Sequence, residues 1–300
     1  MPLKNLALAL VAAASLVLPA CGGGGGGGGG TGALKLSITD APFPATDGCV
    51  SAALVTIDGV RVRSASEGGW TDLVLADGVT EMTVDLLQLR NGLSDALAGA
   101  EIATGSYDEI RLHIVEAVLQ FSSGAADRTF KVPSGMSSGL KIKVDPPILV
   151  ASGQEVDLTL DVDLARSFHT TGLGGEPTCA ELEAGEGGVI FHPVVRVVNN
   201  STVGLLTGMV LDSSAAPAAD VEVCAFPAGT TVEATTEPVA STLSSPAGMD
   251  GLVEGSYALL LEAGDYDLYI RAQGEEDKTL AASAVSITTG ATTTQDLTLP

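Results

Sequence analysis

The chain has 300 residues, with Lys+Arg 14 against Asp+Glu 37, a formal charge of -23, and only 4% aromatic residues. A surface so acidic repels phosphate backbones and anionic lipid, which excludes nucleic acid as a partner and leaves cations as the natural small ones. The length suits two domains of ordinary size behind an N-terminal export segment, each able to close its own core.

Lys4 and the apolar run Leu6 to Leu18, ending in Leu18-Pro19-Ala20-Cys21, read as a signal peptide over residues 1–20. The run is shorter than the roughly twenty residues that cross a bilayer. A small residue directly before a cysteine resembles the bacterial lipobox. That resemblance implies cleavage before Cys21 and fatty acyl chains, such as palmitate, on its sulfur. The alternative is an ordinary secretory signal cut near Ala20 with Cys21 free. Residues 21–32 then carry Gly22 to Gly30, a coil that buries nothing and spans roughly 15 to 18 Å, enough to lift a folded body off lipid. By the Gram-negative sorting rule it resembles, Gly22 rather than Asp after the cysteine implies the outer membrane.

From Ala33 onward the hydrophobic period is two. Leu34, Leu36 and Ile38 alternate with Lys35, Ser37 and Thr39, and strands are expected again at Ala53 to Arg63, Thr80 to Leu87, Tyr107 to Phe121, Gly139 to Val144, Glu155 to Leu164 and Val189 to Val198. One helical turn is expected at Leu93 to Ala98, where Ala and Leu concentrate, and it is the only helix drawn outside the signal. Asn199-Asn200-Ser201-Thr202 has no apolar period and is placed as a linker, residues 199–202. A second series follows at Val203 to Leu211, Asp220 to Phe226, Ser256 to Leu261, Tyr266 to Arg271, Leu280 to Ile287 and Thr292 to Leu299, with a weak strand inside Gly229 to Gly251. The expected fold is all-β, with two β-sandwich domains in tandem over residues 33–198 and 203–300.

Gly105-Ser106-Tyr107 and Gly264-Asp265-Tyr266 echo one another, each a turn glycine before a Tyr whose ring caps the sandwich while its hydroxyl meets backbone. Shared ancestry and convergent turn chemistry account for the echo equally well. In an oxidising compartment Cys49 and Cys179, which fall in one expected domain, are expected to pair, leaving Cys224 buried and inert in the other. The competing reading keeps all three reduced.

The stretch Leu36-Ser37-Ile38-Thr39-Asp40-Ala41-Pro42 is a strand running into Thr-Asp-Ala-Pro. In order after it come Val55-Thr56-Ile57 with Val60, Trp70 after a turn, Asp85-Leu86-Leu87 with Leu89, and Gly105 and Tyr107 with Arg111. Pro133-Ser134-Gly135, Gly139-Leu140-Lys141, Asp161-Val162-Asp163 with Ser167, and Pro193 with Arg196 complete the series. These motifs resemble the domain-of-unknown-function 4382 bacterial lipoproteins over about Ala33 to Val198, departing from them around Cys49 and Cys179. The resemblance carries no established activity. The second half resembles the carboxypeptidase-regulatory-like or transthyretin-type domain through Gly204, Gly208 and Val210, Asp220-Val221-Glu222-Val223, Gly255 and Tyr257, Gly264 and Tyr266, and the closing Val285, Gly290, Thr294, Asp296, Leu297 and Leu299. That likeness implies a structural or sugar-binding-like module rather than an enzyme.

Along Glu155 to Leu164, Asp157, Thr159, Asp161 and Asp163 fall on one strand face and Leu158, Leu160, Val162 and Leu164 on the other. Carboxylates crowded on one face repel, and a hard dication relieves the repulsion, so Asp40, Asp161, Asp163 and Ser167 form a candidate calcium site. The competing reading makes them solvated or backbone-capping acids with no metal. His113, His169 and His192 lack zinc-motif spacing, Ser134 lacks a nucleophile elbow around it, and no catalytic residue or other cofactor is expected. Trp70 is expected in the core. The reading is a non-enzymatic, lipid-anchored envelope protein that binds or positions an envelope protein or glycan. The alternatives are a calcium-dependent carbohydrate or adhesion module and, behind it, a hydrolase with a dispersed site.

Overall fold

The structure is a computed structural model that describes residues 29–41, 49–130, 132, 138–170, 178–184, 189–233, 236–248, 251–272, 275 and 277–300. The expected signal, Cys21 and most of the glycine tether lie outside the described residues, as do Pro42 and Pro133-Ser134-Gly135.

The first half contains β1 (Thr31–Ala41), β2 (Val50–Ser64), β3 (Trp70–Leu75), β4 (Met82–Asp85), β5 (Asp95–Ala103), β6 (Gly105–Phe121), β7 (Arg128–Phe130), β8 (Leu140–Val150) and β9 (Glu155–Asp163). The short helix α1 (Leu164–Ser167), β10 (Phe168–Thr170), helix α2 (Cys179–Ala184), β11 (Val189–Phe191) and β12 (Val194–Asn199) complete it. Ten of these strands make one sheet, ordered β12-β9-β1-β5-β3-β2-β6-β7, with β4 on β2 and β8 on β6. Its two flanks face each other across one core. The alternation seen in the sequence is the reason: Leu34, Leu36 and Ile38 of β1, Val60 and Val62 of β2, Ile110 and Leu112 of β6 and Leu158 and Leu160 of β9 are all buried in a single cluster. Phe168 of β10 packs on Phe130 and Phe191, with ring centroids 5.2 and 4.8 Å away.

The second half is a sandwich of two four-stranded sheets. One is built on β13 (Val203–Leu211), flanked by β16 (Ser256–Glu262) and by β19 (Thr292–Thr294) and β20 (Leu297–Thr298), both parallel to it. The other runs β15-β14-β17-β18, from β14 (Glu222–Pro227), β15 (Ala240–Leu243), β17 (Gly264–Arg271) and β18 (Thr279–Ile287). Its core of Leu206, Val210, Val223, Leu259, Leu268 and neighbours is separate from the first. Gly208 is required there, because a Cβ would come within 1.9 Å of the Gln295 carbonyl oxygen.

The helical turn expected at Leu93 to Ala98 is overturned: β5 starts at Asp95 and is paired by β1 and β3. Helix propensity of Ala and Leu loses to two ladders of backbone hydrogen bonds, and the small residues that suggested a helix instead permit close approach. At Gly99 a Cβ would lie 2.9 Å from the Leu34 carbonyl oxygen. Helices α1 and α2 stand where none was drawn. The expected linker is a hydrogen-bonded turn, with Asn200 N–H on the Asp157 carbonyl at 3.0 Å and Thr202 N–H on that of Asn199 at 2.9 Å.

The two glycine-tyrosine turns take up the same geometry. Tyr107 donates its hydroxyl to the Ala103 carbonyl at 2.8 Å and Tyr266 to that of Glu262 at 3.1 Å, each four residues back across a tight turn. Cys49, just before β2, and Cys179, at the start of α2, are joined by a disulfide 130 residues apart in sequence. Leu182 of α2 is fully buried, and Arg128 of β7 donates to the Glu183 carbonyl, so the bridge fixes a helix that lids one end of the core. Cys224 is free and buried, and burial pushes its thiol well up, which keeps it neutral.

Replacing both Cys49 and Cys179 by Ser frees a long loop in the unfolded chain and is expected to lower folding stability by about 2 to 5 kcal/mol, read by denaturant titration under oxidising conditions.

Candidate functional site

The acidic residues singled out in the sequence lie where β1 and β9 run parallel near the second half. The register sets Thr39 beside Asp161 and Ala41 beside Asp163, and β12 flanks them with Arg196 opposite Asp161. Three of the four candidate ligands have partners here. Arg196 donates through Nε and Nη2 to Asp161 Oδ2, at 3.1 and 2.8 Å. Asp163 is the N-cap of α1, accepting from the Arg166 N–H at 3.0 Å. Ser167 is fully buried, donates its hydroxyl to the Asp163 carbonyl and accepts from the Val194 N–H.

Asp40 differs from the rest. It is 5% exposed and its Oδ1 has no hydrogen-bond partner. Burial pushes its carboxyl well above the usual range; Asp161, Asp163 and Asp85 push the same way, and Arg90 opposes them. Burial likewise raises Asp163 to about 6, against the lowering pull of the Arg166 N–H and side chain.

The residues of the calcium expectation are neighbours here, and Asp161, Asp163 and Ser167 are already engaged by protein groups. Among the described residues no group of three or more His, Cys, Asp or Glu is placed to hold a metal. A dication wants six to eight oxygens. Here the repulsion between carboxylates is relieved by a guanidinium on Asp161, by a helix N-terminus on Asp163 and by driving Asp40 toward its neutral form.

The same residues stand at the junction of the two halves. Thr39 directs its hydroxyl at the Leu89 and Leu93 carbonyls, at 2.6 and 2.7 Å, and Asp40 N–H meets the Leu89 carbonyl at 3.2 Å. Asp85 braces the base of this loop by accepting from Ala53 N–H and Leu87 N–H. The loop presents Asn91, 7% exposed, to the second half. Its Nδ2 donates to Ser245 Oγ at 2.8 Å, and its Oδ1 accepts from Thr242 Oγ1 at 2.8 Å and from Ala258 N–H at 3.3 Å. Asn91 has φ of 60°, a conformation Asn tolerates better than most residues. Arg196 Nη2 also donates to the Leu260 carbonyl at 3.2 Å, while Arg90 pairs with Asp220 and Arg166 with Glu237 at the margin. The cavity between the halves is about 30 Å³, room for ordered water and not for an organic substrate.

Sequence reasoning passed over Asn91. The signal was present, since Asn91-Gly92 is a turn dipeptide, but the partners it meets lie more than 150 residues further on. The three histidines sit apart. His113 is on β6, its Nδ1 against the Asp58 carboxylate; His169 is in β10, and exposed His192 lies between β11 and β12. Trp70 is not in the core as expected. It is half-exposed on the outer face of β3, with the guanidinium carbons of Arg61 and Arg111 4.8 and 4.2 Å from its ring centre, while aliphatic side chains fill the core behind it.

Residues 31–178 match the family described as a domain of unknown function (DUF4382). The matched segment runs from β1 to the residue before α2. No curated protein matches the chain. Among solved structures, the TIE protein of Bacillus anthracis is similar at 10% identity, with a TM-score of 0.23, over 90% of this chain and 50% of that one. The chain therefore spans half the length of that protein. The shaft pilin spaA of Lactobacillus rhamnosus GG is similar at 11% identity and a TM-score of 0.21, over 90% of this chain and 100% of the pilin. The dioxygenase domain of a dioxygenase carbohydrate-binding protein fusion from Streptomyces sp. SirexAA-E is similar at 12% identity and a TM-score of 0.23, over 33% of this chain and 80% of that domain. The all-β architecture rests on the strands themselves and takes nothing from likenesses this slight.

The folded state holds protons on Asp40 and Asp163 that the unfolded chain has lost. Their raised carboxyls therefore cost nothing below about pH 4 and weaken folding as pH rises above it, for Asp163 through the value near 6. Asp40→Asn is expected to melt higher than wild type at neutral pH, with the difference closing as pH falls toward about pH 4 in calorimetric scans. A constant difference across that range contradicts a buried, ionisable Asp40.

Proposed function

We propose that the protein is a non-enzymatic lipoprotein of the bacterial cell envelope, held on the membrane by acyl chains on Cys21, that presents a stiff pair of β domains to a partner. One observation carries the reading: Asn91 and Arg196 of the first half are hydrogen-bonded into the second. A body stitched in this way holds a fixed shape at the end of a tether instead of opening and closing around a substrate. The ordered series of apolar run, Leu18-Pro19-Ala20-Cys21 and Gly22 to Gly30 supports the anchor and the outer membrane as its site. No helix among the described residues is long and apolar enough to cross a membrane. The motifs of the second half support a carboxypeptidase-regulatory-like module, whose two facing sheets here close around Leu206, Val210 and Leu259.

Two measurements test this function. Metabolic labelling with a palmitate analogue is expected to mark the wild type and not Cys21→Ala, which partitions into the soluble fraction; an unlabelled wild type overturns the anchor. Asn91→Ala removes the acceptor of the Thr242 hydroxyl and the Ala258 N–H and leaves the Ser245 hydroxyl with Ser256 alone. It is expected to cost about 1 to 3 kcal/mol and to split one calorimetric unfolding transition into two. A single unshifted transition shows that the junction does not couple the halves.

A further inference from the structure

The outer face of the first sheet carries a concentration of positive charge that a chain of net charge -23 does not predict. Strand register sets Asp72, Arg61, Arg111 and Lys141 in a row across β3, β2, β6 and β8. The next row runs Trp70, Arg63, Glu109 and Lys143 across the same strands. Side chains directly opposite one another on neighbouring strands are close, and three cations abreast repel. The carboxylates at hand are largely committed elsewhere. Asp108 accepts Arg63 through both oxygens, at 3.0 and 2.8 Å. Glu109, 2% exposed, takes Arg111 at 2.8 Å, Lys143 at 2.6 Å and Arg63 at 3.7 Å. Among the described residues neither Arg61 nor Lys141 has an ion-pair partner.

Trp70 supplies the reason the row holds its shape. Its indole lies against both the Arg61 and the Arg111 guanidinium, so aromatic contact keeps the two cations side by side, Arg111 being held as well by Glu109 and the Ser138 carbonyl and Arg61 by no carboxylate among the described residues. Beside them is a hollow of about 270 Å³ lined by Gly59, Arg61, Asp72, Arg111, His113 and Gly139. A side chain on Gly59 would start 3.5 Å from the His113 Cβ and grow into this space. The volume falls just under the roughly 300 to 1,000 Å³ of drug-sized pockets, which suits one small ring.

We propose that this hollow binds the carboxylate of an acidic sugar, a uronic-acid unit, with Arg61 and Arg111 on the carboxylate and Asp72 accepting from sugar hydroxyls. Two planar guanidiniums match a planar carboxylate. The lining joins those donors to the acceptor Asp72, the mixture a polyhydroxylated monoanion asks for. A phosphate dianion would meet the same arginines with Asp72 on the wall and Asp58 on His113 repelling its second charge. The site stands on the strand register alone and needs no anchor at Cys21, so it and the lipoprotein reading fail separately.

The chain has one tryptophan, and its fluorescence therefore reports this face. With the full chain in detergent, titration with sodium glucuronate is expected to give a saturable change in Trp70 emission that weakens as salt rises, and glucose none. Arg61→Gln is expected to weaken binding about tenfold or more, and Lys141→Gln, at an exposed position, several-fold. No saturable change with glucuronate overturns the proposal. Tighter binding of inorganic phosphate than of glucuronate overturns it in favour of a phosphoryl ligand. An Arg61→Gln protein that keeps its circular dichroism and its affinity also overturns it, and if that variant does not fold, unchanged affinity in Asp72→Ala, at an exposed lining position, does the same.

Discussion

The parallel pairing of β1 with β9 is the constraint on which the rest of the molecule depends. Because side chains alternate across a strand, that one register points Leu34, Leu36 and Ile38 with Leu158 and Leu160 into the core. The same register sets Thr39 beside Asp161. A slip of one residue would turn the leucines to the outside and the acids inward. It would also uncouple Thr39 from the loop that carries Asn91, and with it the grip of the first half on the second.

The electrostatics follow from how each charge is partnered rather than from the net charge. At the junction, acids that would repel one another are answered by Arg196, by the first turn of α1 and by burial that favours neutral Asp40. On the opposite flank of the same sheet, cations that would repel one another are held by Glu109, by Asp108 and by the Trp70 ring. The first arrangement is closed, with every candidate ligand but Asp40 Oδ1 occupied and little space left. The second is open to solvent, with Arg61 and Lys141 free of carboxylates among the described residues. That contrast separates the structural use of charge from the face suited to a ligand.

Several motif residues singled out in the sequence hold backbone in place. Asp85 caps a short turn and holds Ala53 N–H, Asp163 caps α1, Ser167 ties α1 to β12, and Tyr107 and Tyr266 fasten two tight turns in the same way. The residue type and spacing of an aspartate that caps backbone and of one that binds a cation are alike in a linear sequence. What distinguishes them is the N–H group or guanidinium that arrives from another element.

The sequence by itself determined the β class, the two cores and most strand positions, because a period-two pattern has only one way to bury its apolar side. It also pointed to the pairing of Cys49 with Cys179 and to the tyrosine turns, whose cues lie within a few residues or within one domain. It misjudged Leu93 to Ala98, where local preference for helix gave way to β1 and β3 on either side of β5. Only the tertiary structure decided the fates of Asp161, Asn91 and Trp70. Their partners Arg196, Thr242, Ser245 and Arg111 come from strands and loops 35 to 154 residues away. Such contacts are set by register and packing, which no local pattern encodes.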